Sequence, residues 1–217
     1  AYSRLTGQGP TVVFFPGFMS DMEGAKALAL ENFCRARGQA YVRFDYSGHG
    51  RSSGEFTDGT IGGWKADALA IIDQATDGDL LLVGSSMGGW IGLLCALARP
   101  ARTRAFVGLA AAPDFTRELC WDRYSGEVRD ILRRDGVYYE PCDYGDDPYP
   151  MTMELLTEGD NHLLLDKDIP LNCPVRLIRG QQAPDVPWTT AQRVSDRLRA
   201  DDVVITYVKS GDHRLST

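Results

Sequence analysis

Ser86 stands in the run Gly84-Ser85-Ser86-Met87-Gly88, a G-x-S-x-G pattern. A serine hydroxyl is a weak nucleophile unless the backbone projects it clear of the chain and a base takes its proton. Small residues on either side permit the sharp, strained strand-to-helix turn that does the projecting. The pattern also arises by chance, with an ordinary glycine-containing turn as the competing reading, so its surroundings must carry the case. Here an apolar, strand-like run, Leu80-Leu81-Leu82-Val83, precedes it and a helix-like segment, 89–98, follows. A helix starting there aims its first amides at the serine, where developing negative charge would be stabilised.

The base must be His49, His162 or His213. His213 lies in Ser210-Gly211-Asp212-His213, just after the last expected strand, where a loop at the carboxyl end of a sheet reaches the nucleophile turn. It is the expected base, against the reading of a surface loop histidine. His49, in Ser47-Gly48-His49-Gly50, is expected to be a structural or rim residue. His162 reads as a solvated histidine of an inserted segment in preference to a substrate contact. An oxyanion would need two amides. The Met87 amide is one, and Phe18, in the loop Phe15-Pro16-Gly17-Phe18-Met19 after the first strong strand, supplies the other; a plain β-turn is the alternative there. Gly48-His49-Gly50 is not a dinucleotide fingerprint, because Gly54 falls four residues after Gly50 and not three.

The elements that must position these groups follow from an alternation of apolar runs and helical segments, the signature of a parallel sheet covered on both faces. Segments 12–15, 40–44, 80–83, 105–109, 175–178 and 203–208 read as strands, and 25–37, 64–75, 89–98 and 189–199 as helices. Residues 113–168 break the rhythm. They are rich in charge and aromatics and contain the turn-prone run Tyr144-Gly145-Asp146-Asp147-Pro148. An excursion of that length is expected to be a helical lid. The resulting division is 1–112 core, 113–168 lid and 169–217 core.

Composition narrows the function classes. The 217 residues are 43% hydrophobic, enough for one sizeable core, and no apolar stretch approaches the 18 residues a membrane span requires. The net charge of −7 argues against nucleic-acid binding. Basic residues are scattered, as at Arg99, Arg102, Arg104, Arg133 and Arg134, and read as solvated faces. The five cysteines, Cys34, Cys95, Cys120, Cys142 and Cys173, include no C-x-x-C pair. Free thiols in a reducing compartment are expected, with no zinc site. No leader peptide is visible at Ala1; the expected location is cytoplasmic, with the mitochondrial matrix as the alternative.

Several dispersed runs carry a resemblance: Pro16-Gly17-Phe18, Arg43-Phe44-Asp45-Tyr46-Ser47-Gly48, Gly84-Ser85-Ser86-Met87-Gly88-Gly89-Trp90, Ala98-Arg99-Pro100, Asn172-Cys173-Pro174-Val175-Arg176-Leu177, Val186-Pro187-Trp188 and Asp212-His213-Arg214. Together they resemble the α/β-hydrolases. More narrowly, they are similar to the group holding the mitochondrial palmitoyl-protein thioesterases, which also cleave mycophenolic acid acyl-glucuronide, and their bacterial relatives. The likeness covers nearly the whole chain and weakens in the lid. It implies an α/β-hydrolase fold: a mostly parallel, doubly wound sheet with a helical lid. It further implies a serine hydrolase without cofactor or metal, acting on acyl esters or thioesters, with an S-acylated protein among the substrate types and no stable membrane insertion. Ser86 and His213 fall at matching positions.

Two departures from that pattern matter. The family places the triad acid in G-x-x-D-x-x-V-P, and this chain reads Gly180-Gln181-Gln182-Ala183-Pro184-Asp185-Val186-Pro187. Ala183 cannot orient an imidazole or offset its charge. Asp185, two residues on, is the nearest replacement, with a turn residue as its plain reading. Asp114 is a second option, and Asp212 adjoins the histidine too closely to orient it. The sequence also stops at Thr217, where the family continues into a helix that supports the histidine loop.

The expected chemistry is acyl transfer in two steps. Ser86 attacks with His213 as base and the Phe18 and Met87 amides on the oxyanion, after which His213 activates water. Phe115, Trp121, Tyr124, Tyr138, Tyr139, Tyr149 and Met151 either line an acyl channel or form the lid's own core. The rival readings are a binding protein on a hydrolase fold, which Ala183 would explain, and a cofactor-free perhydrolase using the same serine and histidine.

Overall fold

The computed structural model describes residues 1–141, 148–182 and 186–215. In chain order its elements are β1 (Tyr2–Leu5), β2 (Gln8–Phe15), α1 (Ala25–Arg37), β3 (Gln39–Phe44), α2 (Ile61–Ala75), β4 (Leu80–Ser85), α3 (Met87–Ala98) and β5 (Thr103–Leu109). A long excursion then carries α4 (Gly126–Asp135), β6 (Val137–Glu140), β7 (Tyr149–Thr152) and α5 (Met153–Gly159). The chain returns through β8 (Val175–Gly180), α6 (Thr189–Arg197) and β9 (Val203–Val208).

One sheet runs β1-β3-β2-β4-β5-β8-β9, parallel throughout except for β1, which pairs antiparallel with β3. Helices cover both faces, so the central strands must be apolar on both sides. Val13 pairs with Leu82 and Leu82 with Phe106, all fully buried. The chain moves outward from β2 to β3 and then crosses back to β4 on the opposite side of β2. Connections leaving the carboxyl ends of β2 and β4 therefore diverge, which opens a crevice at the point where such folds bind ligands. Helix α3 is buried from Met87 through Ala96 and follows directly on β4, so the turn between them is anchored on both sides. At the start of α2 the Thr60 side chain accepts from the Gly63 amide, satisfying a donor that would otherwise be orphaned.

All six expected strands and four expected helices are present, with boundaries moved by a few residues. Strand β1 is not foreseen in the sequence. Its four residues alternate exposed and half-buried at the sheet edge, too short and too polar to give a periodic signal.

The excursion between β5 and β8 departs from the expectation of a helical lid. It holds a π-helical turn (Thr116–Trp121), α4, α5 and a short 3-10 turn (Asp160–His162), but also an antiparallel hairpin of β6 and β7. The β-branched and aromatic run Val137-Tyr138-Tyr139 faces Pro150-Met151-Thr152 across that hairpin, and side chains of this kind favour a pleated surface over a helix. Pro150 is tolerated because the ladder has only two strands. Of the expected turn 144–148, all but Pro148 lies outside the described residues, as does Cys142. No helix among the described residues is long and apolar enough to cross a membrane.

Candidate active site

Ser86 sits between β4 and α3 with φ 53° and ψ −120°, a conformation that only a strongly supported serine holds. The support is backbone. Its amide donates to the Leu109 carbonyl at 3.0 Å, and its carbonyl accepts from Gly89 at 2.8 Å and from Ala112 at 3.1 Å. The two motif glycines are needed for close approach: a Cβ on Gly84 would collide with the Gly88 carbonyl, and one on Gly88 with the carbonyls of Phe15 and Pro16. The turn is thus wedged against the end of β2. The loop after β2 passes just as close, since a methyl on Gly17 would sit 3.4 Å from both the Ser85 carbonyl and the Ser86 Cβ.

That loop presents Phe18. Its ring meets Phe56, Tyr149, Phe115 and Trp64 edge-on, at centroid distances of 4.9, 5.6, 5.8 and 6.0 Å. Among the described residues, no partner takes the Phe18 or the Met87 amide. Of the lid residues expected to shape a channel, only Phe115 and Tyr149 reach this loop. Tyr124 pairs with Tyr138 and donates to Glu140, Trp121 lies under Arg129 and Arg133, Met151 is buried, and Tyr139 is exposed. These five belong to the excursion between β5 and β8 itself.

His213 lies in the loop beyond β9, and its Nε2 is 2.9 Å from Ser86 Oγ across 127 positions of sequence. The loop is tied to the strand ends: Gln181 donates to Val208, Gln182 to Gly211, and Gly211 to Val208. Beside the imidazole stands a residue the sequence reading missed. Arg179, in β8, is 1% exposed; its Nη1 is 3.4 Å from His213 Nδ1 and its Nη2 donates to the Val186 carbonyl. The signal that could have found it is the spacing of Arg176 and Arg179. Three residues apart on a strand, they face opposite sides, so only one of them can point to solvent. Ala183 and Asp185 lie outside the described residues.

The remaining candidates separate cleanly. Asp114 has φ 60° and is 2% exposed, and its carboxylate accepts from the Leu164 and Leu165 amides at 2.8 to 3.1 Å. Burial pushes its pKa up to about 6, against the pull of those two donors. It ties the two ends of the excursion together. His49 is buried against Tyr46, Phe56 and Trp64, with Nδ1 3.2 Å from the Ser47 carbonyl, and burial lowers its pKa, so it packs as a neutral ring. His162 corrects the expectation of a solvated side chain. Its Nε2 is 2.6 Å from Glu158 Oε1, while Glu158 Oε2 accepts from the Gly62 amide at the start of α2 and the His162 carbonyl accepts from the Trp90 indole.

A cavity of about 400 Å³ lies within the excursion between β5 and β8, lined by Asp114, Arg117, Glu118, Asp122, Leu163 and Asp166. Neither Ser86 nor His213 is in its wall, so it is not the place where an acyl group would meet the serine. Among the described residues no group of three His, Cys, Asp or Glu is placed to hold a metal. Cys34, Cys95, Cys120 and Cys173 are free, and burial raises the thiol pKa of Cys95 and of Cys120 to about 12. Such thiols are not nucleophiles at neutral pH.

Comparison with known proteins agrees with this architecture. Residues 10–135 match the model of the alpha/beta hydrolase fold family. The human (Homo sapiens) mitochondrial palmitoyl-protein thioesterase ABHD10 is 41% identical over 216 residues, covering 99% of this chain and 70% of that protein. Alpha/beta hydrolase domain-containing protein 10 from mouse superimposes with a TM-score of 0.91 at 39% identity, over 98% of this chain and 85% of the other. A bacterial structure from Agrobacterium vitis S4 does so with a TM-score of 0.96 at 38% identity, over 100% and 86%.

Proposed function

The chain belongs to the alpha/beta hydrolase family, and we propose that it is a serine hydrolase cleaving acyl esters or thioesters through an acyl-enzyme on Ser86. One observation carries this reading: Ser86 Oγ, on a strained turn between β4 and α3, lies 2.9 Å from His213 Nε2. In acylation the Oγ–H bond breaks, the proton passes to Nε2, and the oxygen pair attacks the substrate carbonyl carbon. The Phe18 and Met87 amides then hold the oxyanion, and the alcohol or thiol leaves with the proton. Water, activated by the freed imidazole, completes the cycle by releasing the acid. A palmitoyl-protein thioesterase among the relatives supports a thioester as well as an ester donor, and its mitochondrial designation favours the matrix alternative.

A fluorophosphonate probe tests the reading, because it requires an activated serine. The expected result is one adduct, mapped by peptide mass spectrometry to Ser86 and lost in Ser86→Ala. Labelling elsewhere, or none at all, overturns it. Ala183 at the acid's position supports a second reading, a hydrolase-fold protein that binds acyl compounds with little turnover. A panel of p-nitrophenyl esters of graded chain length separates the two, since a binder would show affinity without release of nitrophenol.

A further inference from the structure

We propose that two copies of this chain pair edge to edge through β9, antiparallel, across a twofold axis at Ile205. The partner is a second copy, and the residues of the strand and its two ends fix the register.

Strand β9 closes the sheet, with β8 on one side and, among the described residues, no strand on the other. Its six residues keep regular register with β8 from Val175–Val203 to Gly180–Val208, with no bulge and no proline to blunt the edge. The opposite edge is better guarded. There β1 has only four residues and carries Arg4, which pairs with Asp77. In a parallel pair, alternate residues direct both backbone groups to the same neighbour. The Asp202 carbonyl accepts from Val175 and the Val208 carbonyl from Gln181, so the even-numbered positions of β9 face β8. The amides and carbonyls of Val203, Ile205 and Tyr207 therefore point outward. Side chains add to the exposure. Val204, Val208 and Trp188, whose ring meets Tyr207 at 5.5 Å, are three of the eight large apolar side chains exposed among the described residues.

An open edge accepts any strand, so the choice of a second copy rests on charge. Asp201 and Asp202 precede the strand and Lys209 follows it. Asp202 is held by Arg176 of β8. Asp201 and Lys209 are exposed and, among the described residues, belong to no ion pair. With Ile205 opposite its own copy, Val203 exchanges both backbone bonds with Tyr207 of the second copy, and Asp201 lies opposite the second copy's Lys209. The twofold axis repeats that ion pair at the other end. Sliding one strand by a single residue sets outward groups against positions that β8 already uses. Sliding it by two sets Lys209 opposite Arg199 or opposite Val203, and both ion pairs are lost. A strand with an acid at one end and a base at the other is its own complement under a twofold axis.

Sedimentation equilibrium between about 5 and 500 µM tests the pairing. One strand pair covers less than the roughly 1,600 Å² of a standard interface, so the dissociation constant is expected on the order of 10–100 µM. A monomer mass across the whole range overturns the proposal. Asp201→Lys and Lys209→Glu each set like charges opposite one another at both ends, and each should raise the dissociation constant about tenfold. The two reversals move the net charge in opposite directions, so a loss in both is local. Mixing the two single variants restores opposite charges at both ends, and the mixture should regain the parent's affinity, as should the double variant. A dimer that neither reversal weakens, or a loss that neither the mixture nor the double variant repairs, overturns the register and with it the proposal. Ile205→Pro removes the outward amide at the axis and spares the bonds to β8, so it should be monomeric throughout; a folded Ile205→Pro that dimerises like the parent counts against β9. Should that variant fail to fold, the charge variants decide.

Discussion

Ser86 is held by backbone, whereas His213 is held by a short loop and by side chains. The serine turn is wedged between β2, β5 and α3 by carbonyl and amide contacts that leave no room for a Cβ at Gly84 or Gly88. The histidine reaches the same point from the loop beyond β9, where the Arg179 head stands 3.4 Å from its Nδ1. A feature built from backbone survives most side-chain substitutions, while one built from side chains can be retuned by a single one. On the mechanism proposed above, the nucleophile half is thus the conservative part of this site, and the base half is the adjustable part.

The sharpest way to break the comparison is Ser86→Ala. The substitution removes one hydroxyl and leaves every backbone contact of the turn, so thermal unfolding should be nearly unchanged. Hydrolysis should fall by a factor on the order of 10⁶, the loss seen when a serine nucleophile is deleted from a full triad, or to the buffer rate if the parent is already slow. Parent-like turnover in Ser86→Ala would remove the nucleophile half from the chemistry.

Repairing the base half should give the next largest effect, in the opposite direction. Ala183→Asp supplies a carboxylate at the position where the α/β-hydrolase pattern expects one, and kcat should rise by at most about 10⁴-fold, the loss known when a triad aspartate is neutralised. The companion Asp185→Asn asks whether the neighbouring acid already does this work. If it does, Asp185→Asn lowers kcat and Ala183→Asp adds little. Steady-state kinetics on both variants would decide, and no change in either would leave the site working without an acid from this segment.

The legibility of the two halves in the sequence follows the same division. G-x-S-x-G between an apolar run and a helix could be read directly, because close backbone approach demands small residues at fixed local spacing. His213 was legible by its place after the last strand. Arg179 was not, since a charged residue in a strand reads as solvent-facing until the opposite face is counted. The lid was the least legible part. Its hairpin, the Asp114 tie to Leu164 and Leu165, and the Glu158–His162 contact with α2 all join residues far apart in sequence, and no local period encodes such pairings.

Those lid contacts sharpen the comparison further, because they are side-chain devices like the base half. Asp114 has its pKa raised to about 6 in the folded protein against 3.8 for a free carboxyl. Between these values the folded state binds more protons than the unfolded one, so its stability falls as pH rises through that window and levels off above it. Asp114→Asn does not titrate there. The parent should lose up to about 3 kcal/mol relative to that variant between pH 4 and pH 6, with a constant difference above pH 7. Urea unfolding of both proteins across this range measures it, and a parent that gains on the variant as pH rises would show that the two amide donors outweigh burial.

The smallest expected effect comes from Glu158→Gln. Glu158 uses one oxygen to accept from the Gly62 amide at the start of α2 and the other to meet His162. Glutamine can keep the first contact through its amide oxygen, but it gives up the carboxylate that meets His162 and that complements the positive end of the helix. A partly buried pair of this kind contributes about 1 kcal/mol, which corresponds to a roughly fivefold rise in local opening. Hydrogen exchange should accordingly quicken by that factor for amides in α5 and the following 3-10 turn, while β4 and the start of α3 keep the parent's protection. Equal acceleration at the Ser86 turn would mean that lid and nucleophile open as one unit, and the division between a backbone-held serine and a side-chain-held surround would fail.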